Sequence, residues 1–107
     1  MCLHGGDLQR PHLTVTQGYI ESNMNSKARG KCNEKGAWQV REKYWGKVPK
    51  TLKEQAHQAE RILNELLVEN HNNLHTAIVK YNGSGRKAVR YANEVRLKTI
   101  ERCILKV

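Results

Sequence analysis

Residues 50–70, KTLKEQAHQAERILNELLVEN, decide the reading of the fold. Leu52, Ala56, Ala59, Ile62, Leu63, Leu66 and Leu67 recur at three- and four-residue steps with charged residues between them, which places one apolar face on a helix. Pro49 stands just ahead, where a helix start tolerates a residue without an N–H. The same period continues downstream. A second helix is predicted from about Asn73 to Tyr81, burying Leu74, Ala77 and Ile78, with Asn73 or Asn72 as its cap. The NGSG of 82–85 reads as a turn. A last helix over about 86–104 is expected to bury Val89, Ala92, Val95 and Ile100 while exposing a row of Arg and Lys.

Upstream of Pro49 the signals are weaker. Residues 1–11 contain Gly5, Gly6 and Pro11 and read as an irregular lead-in. Residues 12–22, HLTVTQGYIES, are ambiguous, because Thr14, Val15 and Thr16 favour a strand and Gly18 weakens a helix. The polar NMNSKARGKCNEK of 23–35 reads as a loop. Ala37, Trp38 and Val40 then open a short helical turn that ends near Gly46. Strands are hard to find after residue 22. The expected fold class is mainly α, with residues 12–107 as one domain.

A chain of 107 residues holds one compact domain and little more. It has no Phe, so Leu, Ile, Val and Ala must form most of the core, with Trp38, Trp45 and four tyrosines supplying bulk. Nineteen Lys and Arg against ten Asp and Glu give a formal charge of +9. Such a chain is drawn to polyanions, whether nucleic acid, anionic lipid or acidic wall polymers, and charge sign alone does not choose among them. Cys2, Cys32 and Cys103 are odd in number and form no CxxC pair; a Cys32–Cys103 bridge and free thiols are both open. No segment reaches the length of a transmembrane span. The start, MCLHGGDLQRP, lacks the basic and apolar regions of a secretory signal. His71 and His75 are four apart, but no third ligand falls at a usual spacing and HExxH is absent, so no metal site is expected. The NGSGR of 82–86 lacks the Walker pattern and reads as a turn rather than a phosphate cradle.

Three short pieces stand in a telling order: Glu21-Ser22 in YIESNMNSKA, the GAWQV of 36–40, and Tyr81-Asn82 in IVKYNG. With the RYANEV of 90–95, they resemble the goose-lysozyme-like lytic transglycosylase family of the lysozyme-like superfamily, over roughly residues 12–96. In that family an ES pair ends a helix, a G-L-M-Q-like motif follows a polar loop, and an A-Y-N motif lies further on. The resemblance implies a single lysozyme-like helical domain and a short helix over 12–22. That helix is shorter than the family's, as if part of the N-terminal helix were lacking. Ala37 and Trp38 stand where the family usually has Leu and Met, and Lys80 replaces a small residue.

The chemistry accounts for such a set. Cleaving a glycosidic bond needs a proton delivered to the leaving oxygen as an oxocarbenium-like centre develops. A carboxyl does this near neutral pH when an apolar pocket raises its pKa, and Glu21 follows Tyr19 and Ile20. The resembled family uses no second carboxylate: the N-acetyl group assists and the C6 hydroxyl attacks internally. Glu34 and Glu42 match no family position. The resemblance therefore implies that Glu21 is first proton donor and then acceptor, cleaving the MurNAc–GlcNAc β-1,4 bond to leave 1,6-anhydro ends. It implies that Ser22 orients the acid or the substrate and that Gln39 hydrogen-bonds the sugar. Tyr81 would position the Glu21 carboxyl and Asn82 would shape the cleft wall. No metal or cofactor is implied.

The expected partner is then the glycan strand of peptidoglycan, met by a monomer with no obligatory nucleic acid. The site of action would be the wall, outside the cytoplasm. Without a signal in the chain, delivery would fall to a phage particle, holin-type release or a secretion assembly, unless the gene start is truncated. A rival reading rests on Arg86, Lys87, Arg90, Arg96, Lys98 and Arg102, which along a helix could track phosphates as a nucleic-acid-binding module without catalysis. A catalytically inactive wall-binding subunit is a third option.

Overall fold

The computed structural model, described over residues 8–83 and 85–105, is mainly helical. Its elements are α1 (Pro11–Ser22), β1 (Glu34–Lys35), β2 (Val40–Arg41), α2 (Glu42–Trp45), α3 (Leu52–Glu69), α4 (Leu74–Asn82) and α5 (Gly85–Leu105). No helix among the described residues is long and apolar enough to cross a membrane. Two compact units divide the chain within α3, the first running to Glu60 and the second from Arg61.

In the first unit, the stretch that read as strand or helix is the helix α1. Pro11 occupies its first turn, where its fixed φ suits the start. No side chain of the N-cap Arg10 closes that end. Instead the buried Glu60 carboxylate accepts from the N–H groups of Gln9 at 2.9 Å and Arg10 at 2.8 Å. A carboxylate there satisfies donors that the helix leaves unpaired, and opposes the positive end of its dipole. At the other end Asn23 and Met24 take left-handed φ values, and their N–H groups return to the Tyr19 and Gly18 carbonyls. Leu13, Thr14, Thr16, Gln17 and Gly18 are buried. Tertiary packing overrides the β-branched propensity here.

The segment after the loop departs from expectation. A short antiparallel ladder pairs Glu34 with Arg41 and Lys35 with Val40, so strands do occur beyond residue 22. Ala37 and Trp38 are not in a helical turn but in the four-residue loop of this hairpin, closed by the Gln39 N–H on the Gly36 carbonyl at 3.1 Å. The expected helical turn shrinks to α2, ending at Gly46. Two-residue strands leave no alternation to read, which is why the pattern missed them.

α3 extends over most of the predicted span. Ala56 and Ala59 are buried in the first unit, and Ile62, Leu63, Leu66 and Leu67 in the second. Leu52, expected inside, is exposed. In the second unit Asn73 caps α4, its Oδ1 accepting from the Thr76 N–H at 3.0 Å. Ala77 and Ile78 are buried as predicted, whereas Leu74 is exposed in the first turn. α4 packs on α5, which buries Ala88, Tyr91, Ala92 and Val95. Val89 and Ile100, expected in that core, are 43% and 46% exposed. The inward stripe is set by register, so that Ala88 and Ala92 lie inside while the larger Val89 and Ile100 do not. Met1 to Asp7, Ser84 and the last two residues lie outside the described residues, and with them Cys2, most of the lead-in and part of the NGSG turn.

Candidate active site

Glu21 is the penultimate residue of α1 and is half-buried, and Ser22 ends the helix beside it. The Ser22 hydroxyl donates to the Ala37 carbonyl at 2.8 Å and accepts from the Asn25 N–H at 3.0 Å. The other side of Ala37 is held as firmly. Its N–H donates to Gln55 Oε1 at 2.9 Å, and the residue is fully buried. The hairpin loop is thus clamped between the end of α1 and the first turn of α3.

Gln55 does more than clamp. Its Nε2 donates to the Ser26 carbonyl at 3.1 Å and the Pro49 carbonyl at 2.8 Å. One buried amide therefore ties together the polar loop, the hairpin and the break at Pro49. Gly36 lies against it with φ +80°, and a Cβ there would stand 2.7 Å from Gln55 Oε1. Glycine is required on both counts.

Trp38 follows in the loop and is 2% exposed, with its indole N–H on the Thr14 carbonyl at 2.7 Å. It is a core residue of the first unit, as the composition predicts. Gly18 permits this, since a Cβ on that face of α1 would lie 3.0 Å from the indole and 2.7 Å from Met24 Sδ. Gln39 closes the loop, half-buried, at φ +49°. A glutamine in the left-handed region is strained. Its Nε2 donates to the Gly36 carbonyl at 2.9 Å, and its Oε1 lies against Gly30.

The two other acids considered near the motifs have structural partners. Glu34 accepts from the Cys32 N–H at 2.7 Å. Glu42 pairs with Lys35 at 2.6 Å and accepts from the Val48 N–H at 2.8 Å. The Lys35 hydrogen bond, followed by that of Val48, holds the Glu42 carboxyl below its ordinary 4.5, against the opposing effect of burial. Each is bound up in the hairpin or its exit.

Of the five residues singled out in the sequence, Glu21, Ser22 and Gln39 are joined through Ala37 in the first unit. Tyr81 and Asn82 belong to the second, at the C-terminal end of α4, half-buried and exposed respectively. Gln55, Gln58 and Glu60 were missed as organising residues. The available signal was that Gln55 falls within the apolar stripe of α3, with Gln58 and Glu60 at its edges. His71 and His75 do not share a helix face: His71 has φ +56° in the turn after α3, and His75 is on α4. Among the described residues no cluster of His, Cys, Asp and Glu could hold a metal ion, and Cys32 and Cys103 are free and exposed.

No family model, no curated protein and no solved structure matches the chain.

Proposed function

We infer that the chain is a peptidoglycan lytic transglycosylase, with Glu21 as its one acid/base. The observation that carries this is the clamp on Ala37. Through it the helix end bearing Glu21 and the loop bearing Gln39 are fixed to each other, although 18 positions separate the two residues. Catalysis by a single carboxyl depends on such fixation, because small displacements of the acid from the leaving oxygen cost rate heavily.

In this reading Glu21 protonates the glycosidic oxygen and then accepts the proton of the C6 hydroxyl as it attacks the anomeric carbon. One bond breaks and one forms, no water is consumed, and the acid is returned to its starting state. Ser22 acts as a positioning residue, since its hydroxyl is engaged with Ala37 and Asn25. Gln39 presents its half-buried amide from the hairpin loop to the sugar. Tyr81 and Asn82, at the end of α4, are the Tyr-Asn pair that the sequence resemblance singles out. The substrate is the glycan strand of the wall, so the place of action is outside the cytoplasm.

The test is mass analysis of muropeptides released from purified peptidoglycan by the chain and by Glu21→Gln. Anhydro-ended products are expected from the unaltered chain. Their release should fall at least about 100-fold in the variant, the scale on which a general acid contributes. Reducing-end products would make the enzyme a hydrolysing lysozyme. No release by a folded chain would end the reading.

The second reading, a nucleic-acid module, has one observation in its favour: Arg86, Lys87, Arg90, Arg96 and Lys98 are all exposed on α5. Val89, Leu97, Ile100 and Ile104 are exposed on the same helix and interrupt the cationic track. Salt-sensitive retardation of DNA or RNA, insensitive to Glu21→Gln and lost in Arg90→Gln/Arg96→Gln, would favour it.

A further inference from the structure

The hairpin carries a second feature that the transglycosylase reading does not use. A cleft of about 450 Å³ opens beside it, lined by Arg29, Lys35, Arg41, Glu42, Lys43 and Tyr44 among others. Four cations face one carboxylate there, and that carboxylate is already bound to Lys35. Arg29, Arg41 and Lys43 have no carboxylate partner among the described residues.

The backbone pairing makes this surplus costly. Arg29 stands directly opposite Lys35 across an antiparallel bridge, and like charges so placed repel. Arg41 stands opposite Glu34, which could neutralise it. The Glu34 carboxylate instead accepts the Cys32 N–H, so the available partner is not used. Lys43 lies 5.6 Å from the centre of the Tyr44 ring, and that ring is 62% exposed. An uncompensated group of cations in a concave site, with two planar guanidiniums and a phenol at hand, suits an oxyanion attached to an organic body.

We propose that this hairpin cleft is an oxyanion subsite that takes the carboxylates of the peptide stems carried by the glycan substrate. The ligand assignment rests on the transglycosylase reading; the anionic chemistry comes from the cleft itself. Arg29 and Arg41 receive the carboxylate oxygens, Lys43 adds charge, and Tyr44 lies along the stem. Gln39 immediately precedes β2 and Arg41 ends it, so the loop bearing Gln39 and the subsite belong to one hairpin.

The experiment uses the full chain carrying Glu21→Gln, so that binding is read without cleavage, and purified sacculi as the probe. Affinity is measured by co-sedimentation on native sacculi, on sacculi with amidated carboxyls, and on sacculi stripped of phosphodiester polymers. Amidation is expected to weaken binding about tenfold, the scale of losing two charge-assisted contacts at an exposed site. Arg29→Gln/Arg41→Gln should weaken binding to native sacculi by the same factor and be indifferent to amidation. Lys87→Gln/Lys98→Gln removes the same charge from exposed positions of α5 and should cost less than about twofold. Equal losses in the two double variants would reduce the effect to net charge and overturn the subsite. Binding unchanged by amidation would also overturn it, and loss on stripping alone would point to phosphate instead. Muropeptide release by the unaltered chain on the same native sacculi separates the two readings. Release with amidation-insensitive binding defeats the subsite alone; carboxylate-dependent binding with no release defeats the enzyme alone.

Discussion

All the buried polar side chains among the described residues, Thr14, Thr16, Gln17, Gln55, Gln58 and Glu60, lie in the first unit; the second buries Ile62, Leu63, Leu66, Leu67, Ala77, Ile78, Ala88, Tyr91, Ala92 and Val95. Long-range side-chain hydrogen bonds mark the first unit. In the first unit Trp38, Ser22, Gln55 and Glu60 reach 15 to 51 positions along the chain. In the second, Asn70, Asn73 and Thr99 bond to backbone within four residues. An apolar face is non-directional and suits helices packed along their length. A loop with left-handed residues and no repeating pattern has to be held bond by bond, and each bond has a direction. The unit that holds its irregular backbone in this way is the one that carries Glu21 and Gln39.

The strongest way to break this contrast is to remove the residue on which the first unit uses both kinds of force. Trp38→Ala deletes the largest buried side chain and frees the Thr14 carbonyl, and should cost about 4 kcal/mol. For a domain with a margin of about 5–15 kcal/mol, that is a large share of it, and about 1 kcal/mol would remain at the low end. Urea denaturation followed by tryptophan emission measures it, with Trp45 as the remaining reporter. A loss under about 1 kcal/mol would mean the loop is not anchored through the indole.

Gln55→Met sharpens the comparison, because volume is nearly kept while three hydrogen bonds go. About 3 kcal/mol should be lost, near 1 for each net bond. The matched change in the second unit, Ile78→Val, removes one methylene from a buried site and should cost about 1 kcal/mol. If the apolar swap at 55 proved as mild as that at 78, the first unit would not depend on directed bonds. Gly18→Ala is smaller and decided by sign. Helix propensity alone favours alanine by about 1 kcal/mol, but the Cβ would press on the Trp38 ring and Met24. Overpacking of this kind costs about 1–3 kcal/mol, so a net loss near 1 is expected. A rise in melting temperature would show that the close approach is slack.

The same contrast explains what the sequence made legible. α3, α4 and α5 follow from periodicity, since an apolar stripe is a repeating signal that tertiary packing uses as written. The error there was one of depth: Val89 and Ile100 are large and apolar, yet the inward line is Ala88, Tyr91, Ala92 and Val95, because register on the helix and not side-chain size decides which residues face inward. In the first unit nothing repeats. Thr14, Val15 and Thr16 argued for strand, and the helix depends on a carboxylate 50 positions away at Glu60. Glu21, Ser22 and Gln39 were singled out by order of motif, and the clamp that joins them runs through Gln55, which looks like an ordinary surface glutamine until its register on α3 is counted. Directed bonds between distant positions leave no periodic trace in a single sequence.

The smallest expected effect tests whether the hairpin's exit belongs to the same scheme. Glu42 is held below its ordinary 4.5 by Lys35 and the Val48 N–H, so its charged form is favoured in the folded state. A group with a depressed folded pKa contributes stability that is present above the unfolded value, and that stability is lost as pH falls through the folded one. Glu42→Gln should therefore melt slightly lower than the unaltered chain at pH 7, and the gap should close as pH drops below 4.5. The group is partly exposed, so the difference will be modest and weaker in high salt. A gap that persists at low pH would mean that Glu42 matters through packing. It would then resemble the residues of the second unit, and the polar scheme of the first would end at the hairpin.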